Sequence, residues 1–140
     1  DLKPENVLVS GNRGVITDFG LARGKQYATI TKTNTAMGTP IYMPPEQITG
    51  GHGSPQGDVY SLGCVLYLCL AGRVPFTEPD VLSLLTQKLN GVPPPPLDPD
   101  KVPPALSHIV QKMMEAGPLE RFYSAAEVKA ALQEFRSSIT

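Results

Sequence analysis

Residues 1–20 read Asp1-Leu2-Lys3-Pro4-Glu5-Asn6-Val7-Leu8-Val9-Ser10-Gly11-Asn12-Arg13-Gly14-Val15-Ile16-Thr17-Asp18-Phe19-Gly20. Two runs rich in β-branched residues, 6–10 and 15–17, flank the turn-forming stretch 11–14, which predicts a β-hairpin. A hairpin folds the chain back on itself, so Asn6 at its start and Asp18 at its end are expected to emerge side by side. A charged hexapeptide and a second acidic residue are thereby brought together from opposite ends of one small element.

Downstream, residues 21–45 show neither strand nor helix periodicity. Gly24, the alternating Thr29, Thr31, Thr33 and Thr35, and the punctuation Gly38-Thr39-Pro40 describe a long loop. Loops of this length inside a compact domain are usually functional. A short helical turn is predicted at 45–48, ahead of Gly50-Gly51. Four helices follow. The first, 56–71, is apolar on nearly every side after Asp58, the pattern of a central buried helix. The second, 80–89, is opened by Pro79 and Asp80 and closed by Asn90-Gly91. The third is predicted over 104–116, between Pro103-Pro104 and Gly117-Pro118. Ser124 opens the fourth as N-cap, with Glu127 completing a capping box. Its Val128, Leu132 and Phe135 recur at four- and three-residue spacing.

The chain has 140 residues, 41% of them hydrophobic, and a net charge of −1. That suffices for one core and no second domain. The charge balance gives no basic surface for nucleic acid, and no apolar run is long enough to span a bilayer. Cys64 and Cys69 stand five apart in the apolar helix, so they point in well-separated directions and cannot pair. Two thiols buried in a core suit a reducing, cytoplasmic compartment. His52 and His108 have no Cys, Asp or Glu at metal-ligand spacing. The run 93–96 is four prolines and reads as a stiff connector between helices.

Asp1-Leu2-Lys3-Pro4-Glu5-Asn6, Asp18-Phe19-Gly20, Gly38-Thr39-Pro40 and Pro45-Glu46, in that order, resemble the catalytic loop, metal-binding loop and substrate-facing P+1 segment of a protein kinase. The resemblance covers residues 1–136, leaving 137–140 as a tail. It implies a mainly α, kinase-like C-terminal lobe with a small β-hairpin. Lys3 with Thr39 is similar to the serine/threonine class, and the compact 21–45 segment resembles bacterial kinases of the eukaryotic type.

Phosphoryl transfer needs a base at the attacking hydroxyl, oxygen ligands for Mg²⁺ on ATP, and a cation for the developing charge. On the resemblance, Asp1 is the base, Lys3 pairs with the γ-phosphate, and Asn6 and Asp18 hold Mg²⁺. The acceptor is a Ser or Thr hydroxyl of a protein substrate, with Thr39 in the P+1 segment. Glu46 resembles the Glu that closes the activation segment, and Arg121 stands where its buried Arg partner is expected. Asp58 is similar to the Asp that braces the catalytic loop, and as an acid near a helix start it is also a candidate cap. Thr33 and Thr35 fall where activation-loop phosphates are carried.

Two residues depart from the family pattern: Pro44 replaces the usual Ala before Pro45-Glu46, and Tyr60 stands in place of a common Trp. Neither removes a catalytic group. The 140 residues contain no Gly-rich phosphate loop and no strand Lys paired with a helix Glu. They read as the back half of a kinase domain, expected to be inactive and marginally stable alone. The rival readings are a pseudokinase or kinase-derived binding scaffold, a small-molecule phosphotransferase of related fold, and a pure interaction module.

Overall fold

A computed structural model describes residues 2–17 and 40–140. Strands β1 (Val7–Ser10) and β2 (Arg13–Ile16) pair antiparallel, with Val7 opposite Ile16 and Ser10 opposite Arg13. The connection is Gly11 and Asn12 alone, shorter than the four residues expected, because Arg13 and Gly14 belong to β2. Gly11 takes φ 58°, the left-handed conformation that two-residue hairpin turns demand and that glycine adopts without a Cβ clash. Residues 8–16 are exposed, so what holds the hairpin is its ladder and its base.

The other main elements among the described residues are helices: α1 (Pro45–Ile48), α2 (Pro55–Ala71), α3 (Val81–Leu89), α4 (Pro104–Met113) and α5 (Ala125–Ser138). Short 3₁₀ turns occupy Pro4–Asn6, Pro40–Tyr42 and Pro118–Glu120. Pro55 opens α2, where a missing amide costs nothing, and Ser54 caps it by accepting from the Gly57 amide at 3.0 Å. Asp58 is therefore not the cap. It is the fourth residue of the helix, one turn too far in, and it is exposed. The far end of α2 closes on Gly72 at φ 73°, whose amide reaches the Leu68 carbonyl at 2.9 Å.

Two helices end differently from the pattern in the sequence. Helix α4 stops at Met113, three residues short of the expected end, because the Glu115 and Ala116 carbonyls turn toward Arg121. Helix α5 runs through Ser138, two residues into the stretch expected to be tail. At its start the Ser124 hydroxyl accepts from the Glu127 amide at 3.4 Å. The Glu127 carboxylate accepts from the Tyr123 amide at 2.8 Å, one residue ahead of the usual capping box.

Helix α2 is the axis. Tyr60, Cys64 and Tyr67 pack with Phe76, Leu84, Leu97, Val102, Val110 and Met114. Val59 joins Met113, Phe122 and Val128 in a second cluster, and Leu66 packs against both. Each such buried side chain contributes about 1.5–3 kcal/mol relative to exposure. Gly63 sets the α2–α4 approach: a Cβ there would stand 2.8 Å from Met114 Cγ and 2.9 Å from Met113 Cβ. The expectation of two buried thiols is corrected. Cys64 is buried and Cys69 is exposed, since a five-residue step turns it about 140° around the helix and out of the core. Both thiols are free. The proline run is pinned where the Tyr67 hydroxyl donates to the Pro95 carbonyl at 2.8 Å.

Candidate active site

Pro4 sets up a 3₁₀ turn in which the Asn6 amide donates to the Lys3 carbonyl at 2.9 Å. The chain thereby bends between Lys3, which is half-buried, and Asn6, which is 5% exposed. Across the base of the hairpin, the Asn6 carbonyl accepts from the Thr17 amide at 2.7 Å and from the Thr17 hydroxyl at 3.3 Å. Asn6 is thus fixed against the residue that precedes Asp18 in the sequence. Asp1, Asp18, Thr33, Thr35 and Thr39 lie outside the described residues. So does most of the long loop expected over 21–45. Among the described residues no cluster of three His, Cys, Asp or Glu side chains forms a metal site, and no helix is long and apolar enough to cross a membrane.

Residues 40–46 are held by two cations. The first is Arg121, 4% exposed, directly after the 3₁₀ turn that precedes α5. Its two terminal nitrogens reach the two Glu46 carboxylate oxygens, each at 2.8 Å. The remaining donors go to backbone carbonyls: Nε to Glu115 at 2.6 Å, Nη1 to Gln56 at 3.1 Å and Nη2 to Ala116 at 3.0 Å. Five N–H groups meet five acceptors, which is how a guanidinium is buried without an orphaned donor. One residue thereby ties α1, the start of α2 and the end of α4 together.

The second cation is Lys88, in the last turn of α3 and 2% exposed. Its Nζ donates to the carbonyls of Pro40, Ile41 and Met43 at 2.8, 2.5 and 2.7 Å. The intervening carbonyl, that of Tyr42, accepts from the Ser61 hydroxyl of α2 at 2.6 Å. Burial pulls the Lys88 ammonium down to about 8, against the opposing influence of Cys64. Burial also pushes the Cys64 thiol up to about 12 and raises the Tyr60 phenol. The Tyr60 ring lies between the anchors, with the Lys88 nitrogen 5.1 Å and the Arg121 guanidinium carbon 4.8 Å from its centroid.

Neither Lys88 nor Ser61 was singled out from the sequence. The available signal was weak: Val81, Leu84 and Leu85 form an apolar stripe at helical spacing, and Lys88 occupies its next position. Asp58, by contrast, has no side-chain hydrogen bond among the described residues.

A protein kinase domain model matches residues 1–133. The chain belongs to the protein kinase family. Among its kinase relatives, serine/threonine-protein kinase PknD of Mycobacterium tuberculosis is 40% identical over 137 residues, 96% of this chain and 21% of that protein. Serine/threonine-protein kinase PknL of the same organism is 38% identical over 135 residues, 95% of this chain and 34% of that protein. Serine/threonine-protein kinase PknA of Mycobacterium bovis is 37% identical over 138 residues, 98% of this chain and 32% of that protein. The chain therefore spans between a fifth and about a third of the length of these kinases. The helices and the hairpin among the described residues are consistent with a partial kinase fold, and the family acts on protein substrates with ATP and Mg²⁺.

Proposed function

We propose that this chain carries the phosphoryl-transfer loop and the peptide-facing segment of a serine/threonine protein kinase, which moves the γ-phosphate of ATP to a Ser or Thr hydroxyl of a protein. The observation that supports this most directly is the closure of the hairpin base, Thr17 amide to Asn6 carbonyl at 2.7 Å. It sets Asn6 against the residue preceding Asp18, as a shared ligand set would require.

Asp1 accepts the proton of the attacking hydroxyl, and Lys3 presents a point charge to the γ-phosphate. Asn6 and Asp18 would hold Mg²⁺: an amide oxygen and a carboxylate are the hard donors this ion prefers, with no thiolate or imidazole among them. When bound, the ion offsets the negative charge that gathers on the phosphate oxygens. Thr39, in the P+1 segment, would contact the incoming peptide. Thr33 and Thr35 are the residues whose phosphorylation would order the segment, and the reaction takes place in the cytoplasm. Glu46 and Arg121 hold the segment's far end. Residues 1–140 taken alone are expected not to turn over ATP, since their sequence holds no Gly-rich loop to cover the phosphates.

The test is phosphate transfer by the intact protein from labelled Mg·ATP to a degenerate Ser/Thr peptide library. Asp1→Asn and Asp18→Asn are each expected to lower transfer by about a hundredfold or more while the circular dichroism spectrum stays unchanged. Wild-type transfer by either variant overturns the assignment of that residue. A wild-type protein that transfers nothing overturns the kinase reading in favour of a binding scaffold.

A further inference from the structure

Four consecutive carbonyls, those of Pro40, Ile41, Tyr42 and Met43, are all taken by side chains from distant parts of the chain. Lys88 donates to three and Ser61 to the fourth. Regular structure would pair such carbonyls with backbone amides. Among the described residues, one such bond reaches these carbonyls, from the Met43 amide to the Pro40 carbonyl at 3.3 Å.

Lys88 makes no ion pair among the described residues; the pairs present there are Lys101 with Asp98 and Arg121 with Glu46. A buried ammonium with no carboxylate partner is an expensive group. Its surroundings are the rings of Tyr60 and Phe76, at 5.1 and 5.6 Å, and the carbonyls of one turn. An ammonium has three donors in a compact tetrahedral head, and here there are three carbonyls for it to meet. Arginine's planar fork does not match that arrangement. The geometry is thus specific to lysine and directed at a single object, the 40–43 turn. That turn begins directly after Thr39 in the sequence.

We propose that Lys88, assisted by Ser61, is a positioning residue for the peptide substrate: it shapes the 40–43 turn so that the segment entering it presents a fixed platform to the acceptor. This rests on the kinase reading for the role of Thr39, while the clamp itself rests on the hydrogen bonds alone. All three Lys88 donors are spent on the turn and the side chain is buried, so its influence is expected on peptide binding and not on ATP.

Lys88→Met in the intact protein keeps the chain length and removes all three donors. Backbone amide exchange at Ile41, Tyr42 and Met43 is expected to quicken about tenfold or more, read beside α5 as an internal reference. The KM for a Ser/Thr peptide is expected to rise about tenfold, with the KM for Mg·ATP within about twofold of wild type. Lys88→Arg, which keeps the charge but not the tetrahedral head, is expected to restore less than half of either effect. Unchanged exchange at residues 41–43 overturns the clamp. Faster exchange with the two KM values rising together overturns the positioning role and leaves Lys88 as packing. Full rescue by Arg overturns the tetrahedral-donor argument. If Lys88→Met does not fold, Ser61→Ala is read in the same way, since it frees the Tyr42 carbonyl alone. If the wild type transfers no phosphate, the kinase reading has failed, and exchange at 41–43 still decides the clamp: quickened supports it, unchanged overturns it.

Discussion

Arg121 and Glu46, 75 residues apart, meet in a two-point bond with both contacts at 2.8 Å. The arginine is the better buried of the two: its side chain has no exposed surface, while the glutamate's retains 24%. Removing either partner therefore has unequal consequences. Arg121→Met orphans the Glu46 carboxylate and the carbonyls of Gln56, Glu115 and Ala116. It should destabilise the protein by about 3–5 kcal/mol, the usual cost of breaking a buried pair from one side. Glu46→Gln keeps one acceptor and leaves the three carbonyl contacts intact, so a loss of about 1–3 kcal/mol is expected. Urea unfolding midpoints decide this, and the reverse order would refute the account.

Gly63→Ala is expected to destabilise, although alanine is the better helix former by about 1 kcal/mol. The new Cβ would press on Met113 Cβ at 2.9 Å, an atom fixed to the α4 backbone. Overpacking of that kind costs about 1–3 kcal/mol, so a net loss should appear in a thermal melt. A variant melting above wild type would show that α4 yields freely.

The stability of the protein should rise between about pH 8 and 9, level off to about 10, and then fall. Folded Lys88 releases its proton near 8 and the unfolded chain near 10.5. In that window the unfolded state holds more protons, and stability climbs with pH. Cys64 acts oppositely: its thiol titrates at 9.0 when unfolded and near 12 when folded, so stability is lost above 9. The raised phenol of Tyr60 adds to that loss above pH 10. Among the described residues, the other charged groups near Lys88 are Arg121, across the Tyr60 ring, and Glu115, on the wall of the same cavity. Urea melts at half-unit pH steps should show the rise in wild type and not in Lys88→Met, which should fall from about pH 9 while the wild type falls only above about 10.

A disulfide-exchange reagent added to the native protein should titrate one thiol quickly, that of Cys69. Cys64, buried and held protonated up to about 12, should react only as fast as the protein opens. Cys69→Ser removes the fast phase. Two fast thiols in the wild type would contradict the packing of α2.

Much of the architecture was legible because its causes are local. The hairpin follows from β-branched runs around Gly11-Asn12, and the helices follow from apolar spacing and from Ser and Asp at their starts. What escaped was decided by distance or by competition. Ser54 and Asp58 are both able caps, and only the reach from Ser54 to the Gly57 amide separates them. The end of α4 depends on Arg121 competing for carbonyls that periodicity assigns to the helix. The contact between Glu46 and Arg121 could be suggested only by motif position, since nothing periodic links the two. Lys88 looked like an ordinary lysine near a helix C-terminus, and Ser61 like an incidental polar residue in an apolar run. Their shared task becomes visible only when residues 40–43, some 45–48 positions upstream of Lys88, are folded against them.

Tyr60 gives the two anchors a common wall, with one cation 5.1 Å and the other 4.8 Å from its ring. Energies of residues sharing a neighbour do not add. A change at Lys88 alters the ring's seat, and with it the setting in which Arg121 is tolerated. The two sites are therefore epistatic through a residue that makes no ion pair with either. A lineage that altered the aromatic at position 60 would have to renegotiate both cations together, so this part of the chain should drift as a trio rather than one residue at a time.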